Sequence, residues 1–461
     1  MAGPTPISEI TFIGSDTSLA TRVGRPFRRF LEVEAAGGVL LLVATAVALV
    51  WANSPWSDSY ADLWHTEFEL VVGNFHLGEN HHLNLEVLVN DALMVVFFFV
   101  VGLEIKRELV TGQLKDPRAA ALPAMAALGG MVVPALVFVA FTSGTDASGG
   151  WGIPMATDIA FAVGVVSLLG NRINRSMKVF LLSLAIVDDI GAILVIALFY
   201  TDTLSLGWLL TAGIIVMIIL ALKHLRVWYI PLYIFLGVAL WLATFESGVH
   251  ATIAGVVLGV ITPAKPLQTK QQATQWVQWM REKGDDLFGV DIHYAAFHMR
   301  ESTSVAERLE TALHPISSFF IIPIFALANA GVGLGGGVLG DAAGSRVTWG
   351  VGAGLVVGKV VGVSLFTAIG QRLPFTTSPP GMTPTHRLGL AAVSGIGFTV
   401  SLFITGLAFD DESFIAESKI GILFASLVAG VLGLVLLMRA CKREVFVSPP
   451  LTPDVDVETA S

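Results

Sequence analysis

The sequence predicts an all-α membrane protein of about 12 transmembrane helices, and three observations carry that prediction. Hydrophobic residues make up 54% of the chain and charged residues 14%, against roughly 25% charged in soluble domains. The apolar residues gather into runs near the roughly 20 residues that span a bilayer. The basic residues fall in alternate loops between those runs, as in a polytopic chain. The net charge of −9 offers no basic footprint for nucleic acid. The single cysteine, Cys441, excludes an intrachain disulfide and a clustered-cysteine metal site.

In order, residues 1–30 form a polar tail with Arg22, Arg25, Arg28 and Arg29, expected to be disordered and unlike a cleavable signal peptide. Region 31–263 holds spans 1–8, expected near 32–52, 88–109, 119–142, 152–170, 180–200, 204–222, 229–245 and 248–263. Within it, the outer loop 53–87 alternates Phe68, Leu70, Val72, then Phe75 and Leu77, the pattern of a small β-hairpin. Residues 264–313 are a polar insert, and 314–438 hold spans 9–12 near 315–330, 349–369, 388–408 and 418–437. A short tail, 439–461, closes the chain. With this division, 24 of the 27 Lys and Arg residues lie on the side of the N-terminus. The positive-inside rule then places both termini in the cytoplasm.

Four charges break the apolar runs. Asp188 and Asp189 lie inside span 5, and Asp158 follows Thr157 in span 4. Lys359 stands in the middle of span 10, roughly 15 Å from either surface at helical rise and beyond the reach of snorkelling. A charge at the bilayer centre costs about 2.5–3.5 kcal/mol on insertion scales. A chain keeps such groups where they face water, an ion or a proton path, so the stretch reads as an ion site. A structural ion pair between Lys359 and Asp188 or Asp158 is the plainer alternative.

Two spans look interrupted. Span 4 carries Pro154 before Thr157 and Asp158, and span 11 carries a glycine-and-hydroxyl patch from Ser394 through Gly395, Gly397 and Thr399. Backbone leaves helical geometry at membrane depth only where it lines a cavity or is buried in protein. Paired interruptions mark transporter binding sites. Spans 3–5 and 10–12 form two such triplets, and the charge count starts them on opposite sides, which makes them inverted repeats. Close packing through small residues is the simpler account of Gly395 and Gly397.

Other functions fit less well. An intramembrane aspartyl protease needs a facing dyad, whereas adjacent residues point about 100° apart on a helix. Such an enzyme also has no use for Lys359. A passive cation channel would present rings of charge or carbonyls from several copies. His76, His81 and His82 lack the ligand spacing of a metal site. No cofactor is implied, and the bilayer is the expected partner.

The segments ATDIAFAVG, LAIVDDIGAI, SGVHATIAG, VVGLEIKREL, LETALHP, ANAGV, GLVVGKVVG and SGIGFTVS together resemble the NhaA family of sodium/proton antiporters, over about 28–440. The resemblance implies electrogenic, pH-regulated exchange of cytoplasmic Na⁺ or Li⁺ for external H⁺ at the inner membrane of a bacterium. It makes Asp189 the principal Na⁺ ligand and proton carrier, with Asp188 as a second acid paired to Lys359. Asp158 and Thr157 belong to the unwound segment, where Asp158 offsets the positive ends of half-helices, and Lys359 would face their C-termini. Glu104, Arg107, Glu108 and Glu310 become candidates for pH sensing at the cytoplasmic funnel, with His250. Each has an ordinary reading as well, Glu104 and Glu108 as a solvated helix end and His250 as a satisfied packing residue. Asp91 could cap or bond neighbouring backbone. The outer hairpin implies a homodimer, and a symporter or uniporter on the same scaffold is the main alternative. The insert is longer than the family's usual connection. Its Trp276 and Trp279 suggest an amphipathic helix on the membrane surface.

Overall fold

The computed structural model describes residues 36–67, 70–72, 75–77, 84–201, 204–225, 227, 229–284 and 288–443. The polar N-terminal tail, His81, His82 and the tail past 443 lie outside these residues. Among the described residues each stretch expected to span contains helix, interrupted in spans 4 and 11. The described residues open with α1 (Ala36–Ala52), which turns by 116° into the short α2 (Ser57–Trp64). Strands β1 (Leu70–Val72) and β2 (Phe75–Leu77) then pair antiparallel, Leu70 opposite Leu77, as the alternation predicts. Helices α3 (Leu85–Val110) and α4 (Pro117–Thr142) come after the hairpin. A 3₁₀ segment (Asp146–Met155) meets α5 (Ile159–Ser167) at a 42° bend. Next come α6 (Arg175–Phe199), α7 (Leu206–His224), α8 (Ile230–Glu246) and α9 (Thr252–Ile261).

The insert folds as two helices, α10 (Lys270–Lys283) and α11 (Gly289–Glu301). Then α12 (Val305–Asn329) and the short α13 (Val338–Gly344) lead to α14 (Arg346–Gly370). A 48° bend joins α15 (Pro384–Val393) to α16 (Phe398–Ala408), and α17 (Glu412–Arg443) ends the described residues. Among the described residues, seven helices are long and apolar enough to cross a bilayer, or up to ten if each bent pair is one span. The shorter α8 and α9 are apolar too.

Several boundaries depart from the sequence expectation. The helix of span 9 begins at Val305, so 305–313 belong to it and not to the polar insert. Ser304 starts that helix by accepting from the Glu307 N–H at 3.2 Å, ahead of charged turns that read as polar loop. Helix α17 outruns the expected span 12 at both ends for the same reason. Trp276 and Trp279 lie on a helix, as expected. The Trp276 ring stacks on His298 of α11 at 4.3 Å and meets Trp279 edge-on, so Trp276 packs between α10 and α11.

The helices pack into two bodies. One gathers α4, the 3₁₀ segment, α5, α6 and α14–α17; the other links α7, α8, α9, α3, α12 and α1. Few contacts join the two, chiefly α1 with α5, α12 with α16 and α3 with α6. Within each body, glycine lets backbones touch. A Cβ on Gly102 of α3 would stand 2.7 Å from the Val256 carbonyl oxygen of α9, and one on Gly259 would stand 2.6 Å from the Gly102 carbonyl carbon. Helices in lipid gain nothing from hydrophobic exclusion, so this van der Waals contact is what holds such a pair. The outer surface is apolar where lipid would lie. Leu210 and Met217 of α7 and Phe235 of α8 are more than 60% exposed.

Candidate functional site

The site lies where the two broken helices cross inside the first body. Asp158 starts α5, accepting from the Phe161 N–H at 3.0 Å on Oδ1. Its Oδ2 accepts from the Thr399 N–H at 3.1 Å and hydroxyl at 2.6 Å, at the start of α16. One carboxylate therefore satisfies the N-termini of two half-helices, whose dipoles favour negative charge there. The interrupted backbones pair directly: the Asp158 N–H donates to the Ile396 carbonyl at 2.7 Å. The Ser401 hydroxyl donates to the Ile153 carbonyl at 2.8 Å. Gly397 is required by crowding, since a Cβ there would lie 2.8 Å from Leu355 Cδ2 and 3.2 Å from the Ala156 carbonyl. Gly395 is similarly confined, 3.3 Å from Ala429 Cβ.

Beside the crossing, Lys359 Nζ donates to Asp188 Oδ2 at 2.6 Å and to Thr157 Oγ1 at 3.0 Å, with Lys359 and Asp188 fully buried. The Thr157 hydroxyl proton is in reach of Asp188 Oδ2 at 2.7 Å and of the Ser394 carbonyl at 2.8 Å. Lys359 thus meets the end of α15 through Thr157 and not by direct contact with its carbonyls. A π-turn, Gly354–Gly358, immediately precedes Lys359. Nothing in the sequence signals it, since span 10 reads as regular. Its Gly358 lies against Pro134 of α4, with 2.8 Å from a built Cβ to Pro134 Cα. The extra residue in a π-turn rotates the next stretch of helix about its axis, and such turns recur at functional positions.

Asp189 is 6% exposed and one residue further round α6. Asp188 Oδ1 and Asp189 Oδ1 are buried, with no hydrogen-bond partner among the described residues. Such oxygens are costly to leave bare. They are hard ligands of the kind a dehydrated alkali cation takes. Asp189 interacts electrostatically with Asp188, Glu104, Asp158 and Lys359.

A second charged group lies toward the end of α3. Arg107 Nη1 is 2.6 Å from Glu310 Oε1 of α12, and Glu104 interacts with both. Glu108, in contrast, folds back to accept from the Gln113 N–H at 2.7 Å and closes the helix end. His250 is a correction to the predicted cluster. Its Nε2 donates to the Tyr200 carbonyl at 2.5 Å, at the C-terminal end of α6. Since Gly255 of α9 packs beside Val95 and Gly259 beside Gly102, His250 sits near the opposite end of α3 from Arg107. Its motif carries no sense of helix direction, which is why the sequence groups it wrongly. Asp91 is engaged through its carbonyl, which accepts from Trp241 Nε1 at 2.8 Å. The reciprocal amide pair of Asn90 and Asn329, joining α3 to α12, has no signal in the sequence reading. Among the described residues no three His, Cys, Asp or Glu side chains form a metal-binding group.

A profile of the Na⁺/H⁺ antiporter 1 family matches residues 28–437. Among named relatives, the Na⁺/H⁺ antiporter NhaA 3 of Frankia alni is 45% identical over 93% of this chain and 91% of its own length. The Na⁺/H⁺ antiporter NhaA of Rhodopirellula baltica is 44% identical over 90% and 94%. That of Koribacter versatilis is 45% identical over 93% and 94%.

Proposed function

The chain belongs to the Na⁺/H⁺ antiporter 1 family, and from that premise we propose that it exchanges cytoplasmic Na⁺, or Li⁺, for external H⁺. The observation that carries the reading is one arrangement. Two unpaired carboxylate oxygens, on Asp188 and Asp189, lie beside a fully buried Lys359–Asp188 pair and two crossed, interrupted helices. Asp189 is the cation ligand and proton carrier, with Asp188 as second ligand. A cation and a proton compete for the same oxygens. Cation binding draws Asp188 away from Lys359; protonation of Asp189 expels the cation and leaves Asp188 ionised, so the pair with Lys359 re-forms. Opening the site to one side at a time converts this competition into exchange. If protons carry in more charge than Na⁺ carries out, the membrane potential drives transport at about 2.3 kcal/mol per charge per 100 mV.

The wider frame is proposed with it. Twelve spans, counting α8 and α9, cross the inner membrane of a bacterium with both termini in the cytoplasm, on the charge asymmetry of the loops. Spans 3–5 and 10–12 are inverted repeats, a reading supported by two half-helix N-termini meeting at one carboxylate. Glu104, Arg107 and Glu310 form the pH-responsive group at the cytoplasmic end, with Glu108 as a cap and His250 outside it. The hairpin of β1 and β2, whose edges are open among the described residues, pairs with a second copy to form a homodimer.

The test is proton movement in inside-out vesicles, read by a pH-sensitive dye as Na⁺, Li⁺ or K⁺ is added between pH 6 and 9. Lumenal alkalinisation by Na⁺ and Li⁺ but not K⁺, abolished in Asp189→Asn while the protein remains in the membrane, is the expected result. Full exchange by that variant would remove Asp189 from the site. Na⁺ uptake without proton movement would indicate a symporter or uniporter.

A further inference from the structure

The insert takes no part in the ion site, yet it is fastened to the helix that carries Glu310. At the base of its hairpin the Gln268 N–H donates to the Glu301 carbonyl at 3.1 Å, and the Ala306 N–H to the Pro263 carbonyl at 3.0 Å. Glu301 stands at this junction and is 5% exposed. Its Oε1 accepts from Arg308 Nη1 at 2.8 Å and lies 3.4 Å from Arg300 Nε. The same Arg308 nitrogen donates to the Arg300 carbonyl at 3.3 Å. A carboxylate withdrawn from water this far needs a cationic partner, and removing that partner leaves a costly bare charge.

Arg308 is on the opening turns of α12, two residues before Glu310, and Glu310 holds Arg107 of α3. Here α12 packs on α3. The anchor therefore fixes the end of α12 whose position sets the Arg107–Glu310 distance. The charged groups that interact with that pair are Glu104 on α3 and Glu307 and His314 on α12, and Glu104 in turn interacts with Asp189 of α6. Glu108 is engaged at its own helix end.

We infer that the insert is a strap on α12, and that Glu301 and Arg308 are positioning residues setting the pH at which exchange turns on. The inference rests on the proposed pH-responsive role of Glu104, Arg107 and Glu310. Removing the tie frees the first turns of α12, and the Arg107–Glu310 contact weakens while the hydrogen bonds that hold Asp188 stay in place.

The experiment compares the full chain with Glu301→Gln and with the charge exchange Glu301→Arg/Arg308→Glu, in inside-out vesicles across pH 6 to 9. Glu301→Gln should move the pH of half-maximal exchange by about half a unit or more. The Na⁺ KM at the optimal pH should stay within about twofold, and the exchanged pair should return the profile toward that of the parent. Unchanged midpoints in both variants would overturn the inference. So would a uniform loss of rate at every pH, which is what a merely structural tie would give. If the parent chain moves no protons with Na⁺ at any pH, the exchange reading itself fails, and this inference with it. That outcome is separable because it appears before any variant is made.

Discussion

Lys359 and Asp188 show what a single pair of residues contributes here. Both are fully buried, and each is the other's counter-ion. Burying ions is expensive, and removing one member of such a pair costs about 3–5 kcal/mol because the survivor is left unpaired. Lys359→Met should therefore lower the melting temperature of the detergent-purified protein sharply. Asp188→Asn added to it should recover most of the loss, since the bare charge is gone. A double variant no more stable than Lys359→Met would mean that Asp188 is not the group Lys359 neutralises. Both members are legible in the sequence, because charges at that membrane depth are rare enough to nominate each other. Thr157 and Asp158 are legible through the same break. Which oxygen of Asp158 meets which half-helix is not, because that depends on how 158 and 399 are brought together across the fold. His250 goes astray at this scale, since a motif names a residue but not the end of the bundle at which it stands.

Between elements, the glycine contact of α3 with α9 is the most demanding. Carbonyls and Cα atoms occupy the space that any side chain on Gly102 or Gly259 would need. Overpacking of this kind costs about 1–3 kcal/mol or more. Gly102→Leu should thus destabilise the purified protein and depress exchange. Gly213→Leu on α7, where nothing lies within 4 Å of a Cβ, should do neither. Equal effects of the two changes would show that the penalty reflects bulk in an apolar helix and not the α3–α9 contact. The run lengths in the sequence locate the helices well, since apolar length is set by the bilayer. They locate the ends poorly wherever charged turns continue the helix beyond lipid, as at Val305 and Glu412. They give no sign of the π-turns at Leu88–Leu93, Ser317–Ile321 and Gly354–Gly358.

For the whole molecule, the division into two bodies joined by few contacts is the feature on which the proposed alternating access would depend. Packed bodies of this kind move against each other more readily than they deform internally. The aromatic rings between them mark where such motion would be felt. Phe403 of α16 lies 5.3 Å from Phe98 of α3 and 6.4 Å from Phe325 of α12, centroid to centroid. These contacts bridge the bodies close to the unwound crossing. Holding them together should trap the site open to one side only. Cysteines at 98 and 403, in a chain with Cys441→Ser, allow a short bifunctional thiol reagent with a cleavable disulfide to join the bodies. Exchange in vesicles should fall to a few per cent on linking and return when the reagent is reduced. Each single-cysteine chain should be unaffected by the same treatment. If the linked protein exchanges at the full rate, the two bodies do not move against each other at this point, and access must alternate by a smaller change around Asp189 alone.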